Sequence, residues 1–253
     1  MLRSRIIPCL LVHNKGLVKT VRFKAPKYVG DPINAVKIFN EKEVDELIVL
    51  DIDATKESRG PNFDMIKNLA EECRMPFCYG GGVTTVDEAK KIISLGAEKV
   101  ALSSSALLNP DLCVDIGKVI GNQSVVVVVD VKKQKLFGGF DIYTHNGTKK
   151  SKWKLEEFIH RLEQIGVGEI VINSIDNDGI MQGYDTKLVE LIRRKCTMPI
   201  TVLGGAGGLE DIKSLISKYR IIGAAAGSLF VFKGKYKAVL INYPNREERK
   251  PLY

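Results

Sequence analysis

Short apolar runs alternate with longer amphipathic stretches along the whole chain. The densest run is Val125 to Val129, five consecutive valines that end at the carboxylate of Asp130. β-Branched side chains crowd a helix, and the run is far too short to span a membrane, so it predicts a strand buried on both faces. Ile6–Val12, Leu47–Leu50, Pro76–Tyr79 and Lys99–Leu102 predict four strands before it. Glu169–Asn173, Ile200–Leu203 and Ile221–Ala225 predict three after it. Helical spacing lies between them. Pro32 follows Asp31 in an N-cap position and opens a helix to Phe39; Met65–Cys73 is a second, and a third starts after Thr85 and stops near Gly96. Leu155–Gln164, Lys187–Arg194 and Glu210–Ser217 continue the series. Two stretches break the rhythm: Val18–Phe23 reads as an extended loop carrying Lys19, and Lys132–Lys152 as a polar, hairpin-like segment. Eight strands alternating with helices, each strand ending in polar or glycine-rich residues, is the pattern of an α/β (β/α)8 TIM barrel.

An internal repeat supports that fold. Asp45–Asp53 aligns with Gly168–Asp176, Tyr79-Gly80-Gly81-Gly82-Val83 with Leu203-Gly204-Gly205-Ala206-Gly207, and Ser104-Ser105 with Gly227-Ser228. Three matches in one order predict two half-barrels, about residues 1–120 and 121–240, inside a single domain covering 1–253.

Composition narrows the function classes. The 253 residues are 45% hydrophobic and 27% charged, an ordinary globular balance with ample core. The formal net charge of +8 comes from scattered lysines with no aromatic ladder, which favours a solvated surface and a phosphorylated or acidic substrate over nucleic acid. Cys9, Cys73, Cys78, Cys113 and Cys196 form no CxxC pair, so neither a disulfide framework nor a zinc site is indicated. His13, His145 and His160 lack metal-ligand spacing and read as surface residues, while Trp153 reads as a packing anchor. No cofactor, metal or membrane span is indicated; the opening residues lack a signal-peptide core, and a reducing, cytoplasmic setting is expected.

In a barrel, the glycine-rich loops after strands three and seven and the serines after strands four and eight put two clusters of backbone N–H groups on opposite sides of one rim. Glycine lets the backbone approach an anion closely, so the pair suits a substrate with a phosphate at each end. Asp51, Asp53, Asp130, Asp176 and Asp178 close strands, and Asp130, ending the most apolar strand, is the leading candidate for a general acid or base.

The ordered motifs Arg5-Ile6-Ile7-Pro8-Cys9-Leu10, Val18-Lys19, Gly30-Asp31-Pro32, Asp45-Glu46-Leu47, Gly80-Gly81-Gly82, Ser174-Ile175-Asp176, Gly183-Tyr184-Asp185 and Gly204-Gly205-Ala206-Gly207 resemble the cyclase subunit of imidazole glycerol phosphate synthase, from Met1 to about Phe232. The resemblance implies a glutaminase subunit docked at the bottom of the barrel. Ammonia would pass through the interior to a bis-phosphorylated ribulosyl aminoimidazole substrate, giving imidazole glycerol phosphate and an aminoimidazole carboxamide ribotide. It implies Asp130 as one of two catalytic aspartates and Lys19 as the flexible-loop lysine. Asp51 and Asp178 would lie near the substrate, and Gly82, Ser104, Gly205, Gly227 and Ser228 at or beside the phosphate loops. Arg5, Glu46, Lys99 and Glu169 match the ring of charges that gates ammonia.

One position departs sharply. The family's other catalytic aspartate falls where this chain has Leu11, and a leucine moves no proton. Ser103-Ser104 stand for the family's Asn-Thr, and Asn173 for its Thr. Intact gate residues beside Leu11 keep an alternative open: a paralogous subunit that channels ammonia to another acceptor, for instance an amidation in surface-sugar biosynthesis. The related half-barrel sugar isomerases use two carboxylates, and Leu11 and the charge ring count against them.

Overall fold

The computed structural model describes residues 3–135 and 138–253. β1 (Arg5–His13) turns back into β2 (Gly16–Val21) and β3 (Lys24–Gly30), and α1 (Pro32–Glu41) follows. The chain continues through β4 (Leu47–Asp51), α2 (Phe63–Glu72), β5 (Phe77–Gly80), α3 (Val86–Ser94), β6 (Lys99–Leu102), α4 (Ser104–Leu108) and α5 (Asp111–Ile120). The valine run lies in β7 (Val125–Lys133), which leads to β8 (Phe140–Thr144), β9 (Lys149–Lys154) and α6 (Leu155–Ile165). β10 (Glu169–Ser174), α7 (Thr186–Arg193), β11 (Ile200–Leu203), α8 (Leu209–Tyr219), β12 (Gly223–Ala226) and α9 (Ser228–Val231) complete the repeating part. A small hairpin, β13 (Phe232–Lys233) with β14 (Ala238–Val239), and the four-residue α10 (Arg246–Arg249) finish the chain.

Among the described residues, β1, β4, β5, β6, β7, β10, β11 and β12 pair in parallel in that order, and β12 returns to β1 through Arg5↔Gly223 to Pro8↔Ala226. The barrel is therefore closed and exposes no edge. Its strands sort side chains with period two: Val125, Val127 and Val129 join the core under the helices, while Val126 and Val128 point into the interior. Ile7, Cys9, Ile48, Cys78, Ala101, Val171, Leu203 and Ala225 share that interior, with Leu11 and Leu50 packed on it. The helices start where the sequence supplies caps. The Asp31 side chain accepts from Asn34 N ahead of Pro32, and Thr85 with Glu88 forms a reciprocal capping box on α3.

Two features differ from the sequence reading. The stretch taken as an extended loop around Lys19 is strand β2, paired antiparallel with both β1 and β3. Its turn places Arg22 and Phe23 in left-handed conformations without the Asn-Gly that normally signals such a hairpin, so no local cue marked it. The second feature is the end of the chain. After β12, no helix longer than four residues occurs among the described residues, and an extended segment runs down the outside of the barrel instead. The Lys132–Lys152 segment does form an antiparallel hairpin, β8 with β9, and Trp153 does act as an anchor, donating to Leu107 O at 2.9 Å and tilting against Phe158.

Phe158 is fully buried in the outer core. Phe158→Ala should cost about 3–5 kcal/mol of unfolding free energy, read as a lower urea midpoint with an unchanged m-value.

Candidate active site

The first residues of β1, β6 and β10 and the residue just before β4 meet at the bottom. Arg5 pairs with Glu46 and, at 2.7 Å, with Glu169; Lys99 reaches Glu46 at 2.6 Å and Glu169 at 2.9 Å. The four side chains form a closed cycle of alternating sign, with both carboxylates almost fully buried. Thr201 Oγ1 donates a further bond to Glu169, and Gly223 is required beside it because a Cβ there would run into that hydroxyl. Burial works against the Glu169 charge, but Arg5 and then Lys99 more than offset it and hold the carboxyl at about 2. A single charge in this place would be expensive; the cycle makes four of them tolerable.

At the opposite end the strands open into a cavity of about 770 Å³. Asp130 lies at its floor on β7, in register with Asn173 of β10, whose Nδ2 donates to Asp130 Oδ1 at 2.9 Å. Burial pushes the Asp130 carboxyl up to about 7, with the Asn173 bond opposing and the nearby Asp178 charge adding to the rise. A carboxyl poised there can both give and take a proton near neutrality. Asp178 accepts from Thr20 Oγ1 at 2.6 Å and Phe23 N at 3.1 Å, which ties the β2–β3 hairpin to the mouth; burial raises its carboxyl as well. Lys19 is folded inward, its Nζ donating to Cys9 O at 2.5 Å beside Gly227, and burial lowers its ammonium.

Asp51 is committed to structure. It takes both ends of the Arg59 guanidinium at 2.8 and 2.9 Å and accepts from Asp53 N and Ala54 N. Asp53 accepts from His13 Nδ1 at 2.7 Å and Asn14 N at 2.8 Å; burial acts to raise its carboxyl, but these bonds together hold it below the ordinary range. His13 and His145 therefore line the mouth, contrary to the surface role read from sequence, whereas His160 is exposed. Arg59 and His13 were missed because nothing in a polar loop or at a strand end distinguishes them from solvated residues. Asp176 is drawn away from the cavity and accepts from Lys133 N at 2.7 Å.

The anion-binding candidates form two groups, Gly82 with Ser104 and Gly205 with Gly227 and Ser228, all lining the cavity. Gly82 has φ +74°, and a Cβ would approach Arg59 O to 2.6 Å, so no other residue fits. The helices differ in a useful way. Thr84 N and Thr85 N are occupied by Glu88, and Gly207 N and Gly208 N by Asp211, so the backbone just ahead of α3 and α8 is already satisfied. The short helices α4 and α9, after β6 and β12, have no side-chain cap. Their first N–H groups are open to an anion. Where a second carboxylate would stand at the end of β1, Leu11 faces the cavity next to Leu50, its partner in register. No cluster of three or more His, Cys, Asp or Glu that could hold a metal occurs among the described residues, and no described helix is long and apolar enough to cross a membrane.

A family model described as histidine biosynthesis protein matches residues 5–237. A Vibrio vulnificus protein provisionally named imidazole glycerol phosphate synthase subunit hisF3 is 56% identical over 251 residues, covering 99% of this chain and 96% of that protein. A Leptospira interrogans protein, provisionally named as the HisF subunit of the same synthase, is 52% identical over 253 residues and covers 100% of both chains. The imidazole glycerol phosphate synthase subunit HisF of Streptococcus sanguinis is 40% identical over 230 residues, 91% of each.

The raised Asp130 carboxyl has a consequence for stability. Between the unfolded value of about 4 and about 7, the native state holds a proton that the unfolded chain has released, so this group destabilises the fold progressively as pH rises. Asp130→Asn should therefore gain stability with rising pH from about 4 and level off above about 7, by on the order of 4 kcal/mol. Chemical denaturation across that range checks it; a gain that shrinks with pH would contradict the assignment.

Proposed function

The chain belongs to the histidine biosynthesis protein family, and from that membership we propose that it is the cyclase-type synthase subunit of a cytoplasmic glutamine amidotransferase complex. A glutaminase subunit would dock at the bottom of the barrel. Ammonia would enter past the ring of Arg5, Glu46, Lys99 and Glu169 and cross the interior as the neutral molecule. At the mouth it would meet a bis-phosphorylated ribulosyl aminoimidazole and give imidazole glycerol phosphate and an aminoimidazole carboxamide ribotide.

The observation that carries this reading is the joining of two ends: a closed charge cycle around one opening and, across an apolar interior, the Asp130 carboxyl raised to about 7 in a cavity of about 770 Å³. Asp130 then works as the acid–base group. The phosphates fit the uncapped starts of α4 and α9, beside Gly82 and Ser104 at one end and Gly205, Gly227 and Ser228 at the other. Lys19 lies against Gly227, where an arriving phosphate would draw its ammonium from the Cys9 carbonyl. Asp178 fixes the hairpin that carries Lys19, and Asp51 with Arg59 holds the loop between them and the Gly82 turn. The two half-barrels, about 1–120 and 121–240, would each contribute one phosphate site.

One observation favours a second reading. Leu11 and Leu50 line the mouth where a two-carboxylate mechanism needs a second acid–base group. In that reading the same barrel channels ammonia to a different acceptor, as in an amidation of a surface sugar, and has little cyclase activity of its own.

Steady-state turnover of the purified chain with the bis-phosphorylated substrate and excess ammonium, at mildly alkaline pH, separates the two. The cyclase reading expects measurable turnover that falls about 100-fold or more in Asp130→Asn. No turnover in the natural chain, with activity appearing in Leu11→Asp, would instead establish the channelling subunit.

A further inference from the structure

The chain's last segment, in place of a long helix after β12, ends at the ring. From α9 it descends as an extended strap: Leu240 N donates to Val231 O at 2.8 Å and Asn242 N to Phe230 O at 2.9 Å. Phe230, Tyr243 and Leu252 are buried in the outer core, and the Phe230 and Tyr243 rings pack at 5.3 Å. At the bottom the strap grips two short stretches. Tyr243 OH donates to Ile6 O at 2.9 Å and accepts from Asp45 N at 3.3 Å. Arg249 Nη1 donates to Glu43 O at 3.0 Å and to Asp45 Oδ1 at 3.3 Å, and Tyr253 OH donates to Asp45 Oδ2. Arg246 makes a bidentate pair with Glu43 at 2.7 and 2.8 Å, and Asn245 caps α10 with a reciprocal box to Glu248.

The held residues are the immediate neighbours of the ring. Ile6 follows Arg5, and Asp45 precedes Glu46; the Asp45 carboxylate also takes Ile6 N at 2.8 Å, binding the two stretches to each other. Arg5 and Glu46 are adjacent members of the charge cycle. The strap therefore fixes the backbone on which half of the cycle stands. Asp45 is the junction, since one buried carboxylate collects Ile6 N, Arg249 and Tyr253, and the strap supplies two of those three donors. Tyr253 itself is half-exposed on this face, with Arg3 stacked on its ring at 5.7 Å, so a molecule docking there would meet the strap's end.

We propose that the C-terminal strap, through Tyr243, Arg249 and Tyr253, is the positioning element that keeps the charge ring closed. Displacing its end loosens Arg5 and Glu46 together and frees Lys99. This goes beyond the functional reading above and rests on it only in taking the ring as the ammonia entrance. The mechanism is local. Neither Arg249 nor Tyr253 bonds to a member of the charge cycle, so any effect they have on it travels through the Glu43–Asp45 stretch, Tyr243 and Ile6.

The test reads the ring without substrate, ammonia or a partner. The purified chain is treated with N-hydroxysuccinimidyl acetate, and acetylation of each lysine is followed by mass spectrometry. Lys99 reports the ring, and Lys19, buried at the opposite end, reports global opening. In the double variant Arg249→Met, Tyr253→Phe, loss of these bonds should speed Lys99 labelling about tenfold while Lys19 stays within about twofold. The single variant Tyr253→Phe, which keeps the ring packing, should show a smaller rise of the same kind. Unchanged Lys99 labelling would overturn the proposal. So would equal acceleration at Lys99 and Lys19, because the strap would then only be stabilising the whole fold. Either result leaves the cyclase reading standing, and absence of cyclase turnover leaves the strap result standing.

Discussion

A charged side chain inside a barrel is tolerable only when its neighbours cancel it, and the bottom of this barrel depends on that constraint. Arg5, Glu46, Lys99 and Glu169 each contact two members of opposite sign, so no member can be lost without leaving buried charge behind. The local sequence bends to accommodate the cycle. Gly223 makes room for the Thr201 hydroxyl that holds Glu169, and Tyr243, Arg249 and Tyr253 fix the chain beside Arg5 and Glu46. A ring that costs this much to assemble and touches no part of the mouth is hard to explain as a stability device, because apolar residues would fill the space more cheaply. Control of what enters the interior is the role proposed for it above.

The mouth follows a different logic. Asp130 is held at the floor of an open cavity by an apolar interior below it and by Asn173 beside it, and burial leaves it near the pH at which a proton moves in either direction. The rim above is strongly structured. Asp51, Asp53 and Asp178 are bonded to Arg59, His13, Thr20 and backbone N–H groups, so they orient the loops around Asp130. Leu11 fits this picture as an extension of the apolar lining toward the cavity.

Much of this was legible in the sequence because barrels advertise themselves. The eight short apolar runs, the repeat of Gly80-Gly81-Gly82 as Gly204-Gly205, and the place of Asp130 after the valine run are local patterns with local causes, although β7 continues past Asp130 to Lys133. The ring residues were recognisable only through family resemblance; charges at strand starts look like any solvated loop until closure brings them together. The β2–β3 hairpin was hidden because Arg22 and Phe23 take left-handed conformations that their identity does not advertise. His13 and Arg59 were hidden because their importance lies in a partner, Asp53 or Asp51, that only the fold places within reach. The strap was illegible for the same reason: its contacts join residues about two hundred positions apart in the chain.

The central claim is that ring, interior and mouth are one path for ammonia. Ala225 faces that interior, is fully buried and belongs to neither the ring nor the mouth, so Ala225→Leu adds bulk to the proposed path. Product formation by this chain together with a glutaminase subunit that binds it should be measured with glutamine and, separately, with ammonium. Loss of glutamine-driven turnover, with ammonium-driven turnover and glutamine hydrolysis retained, is what the account predicts. Equal turnover from both sources in the narrowed barrel would contradict it, because ammonia would then be reaching the mouth by another route.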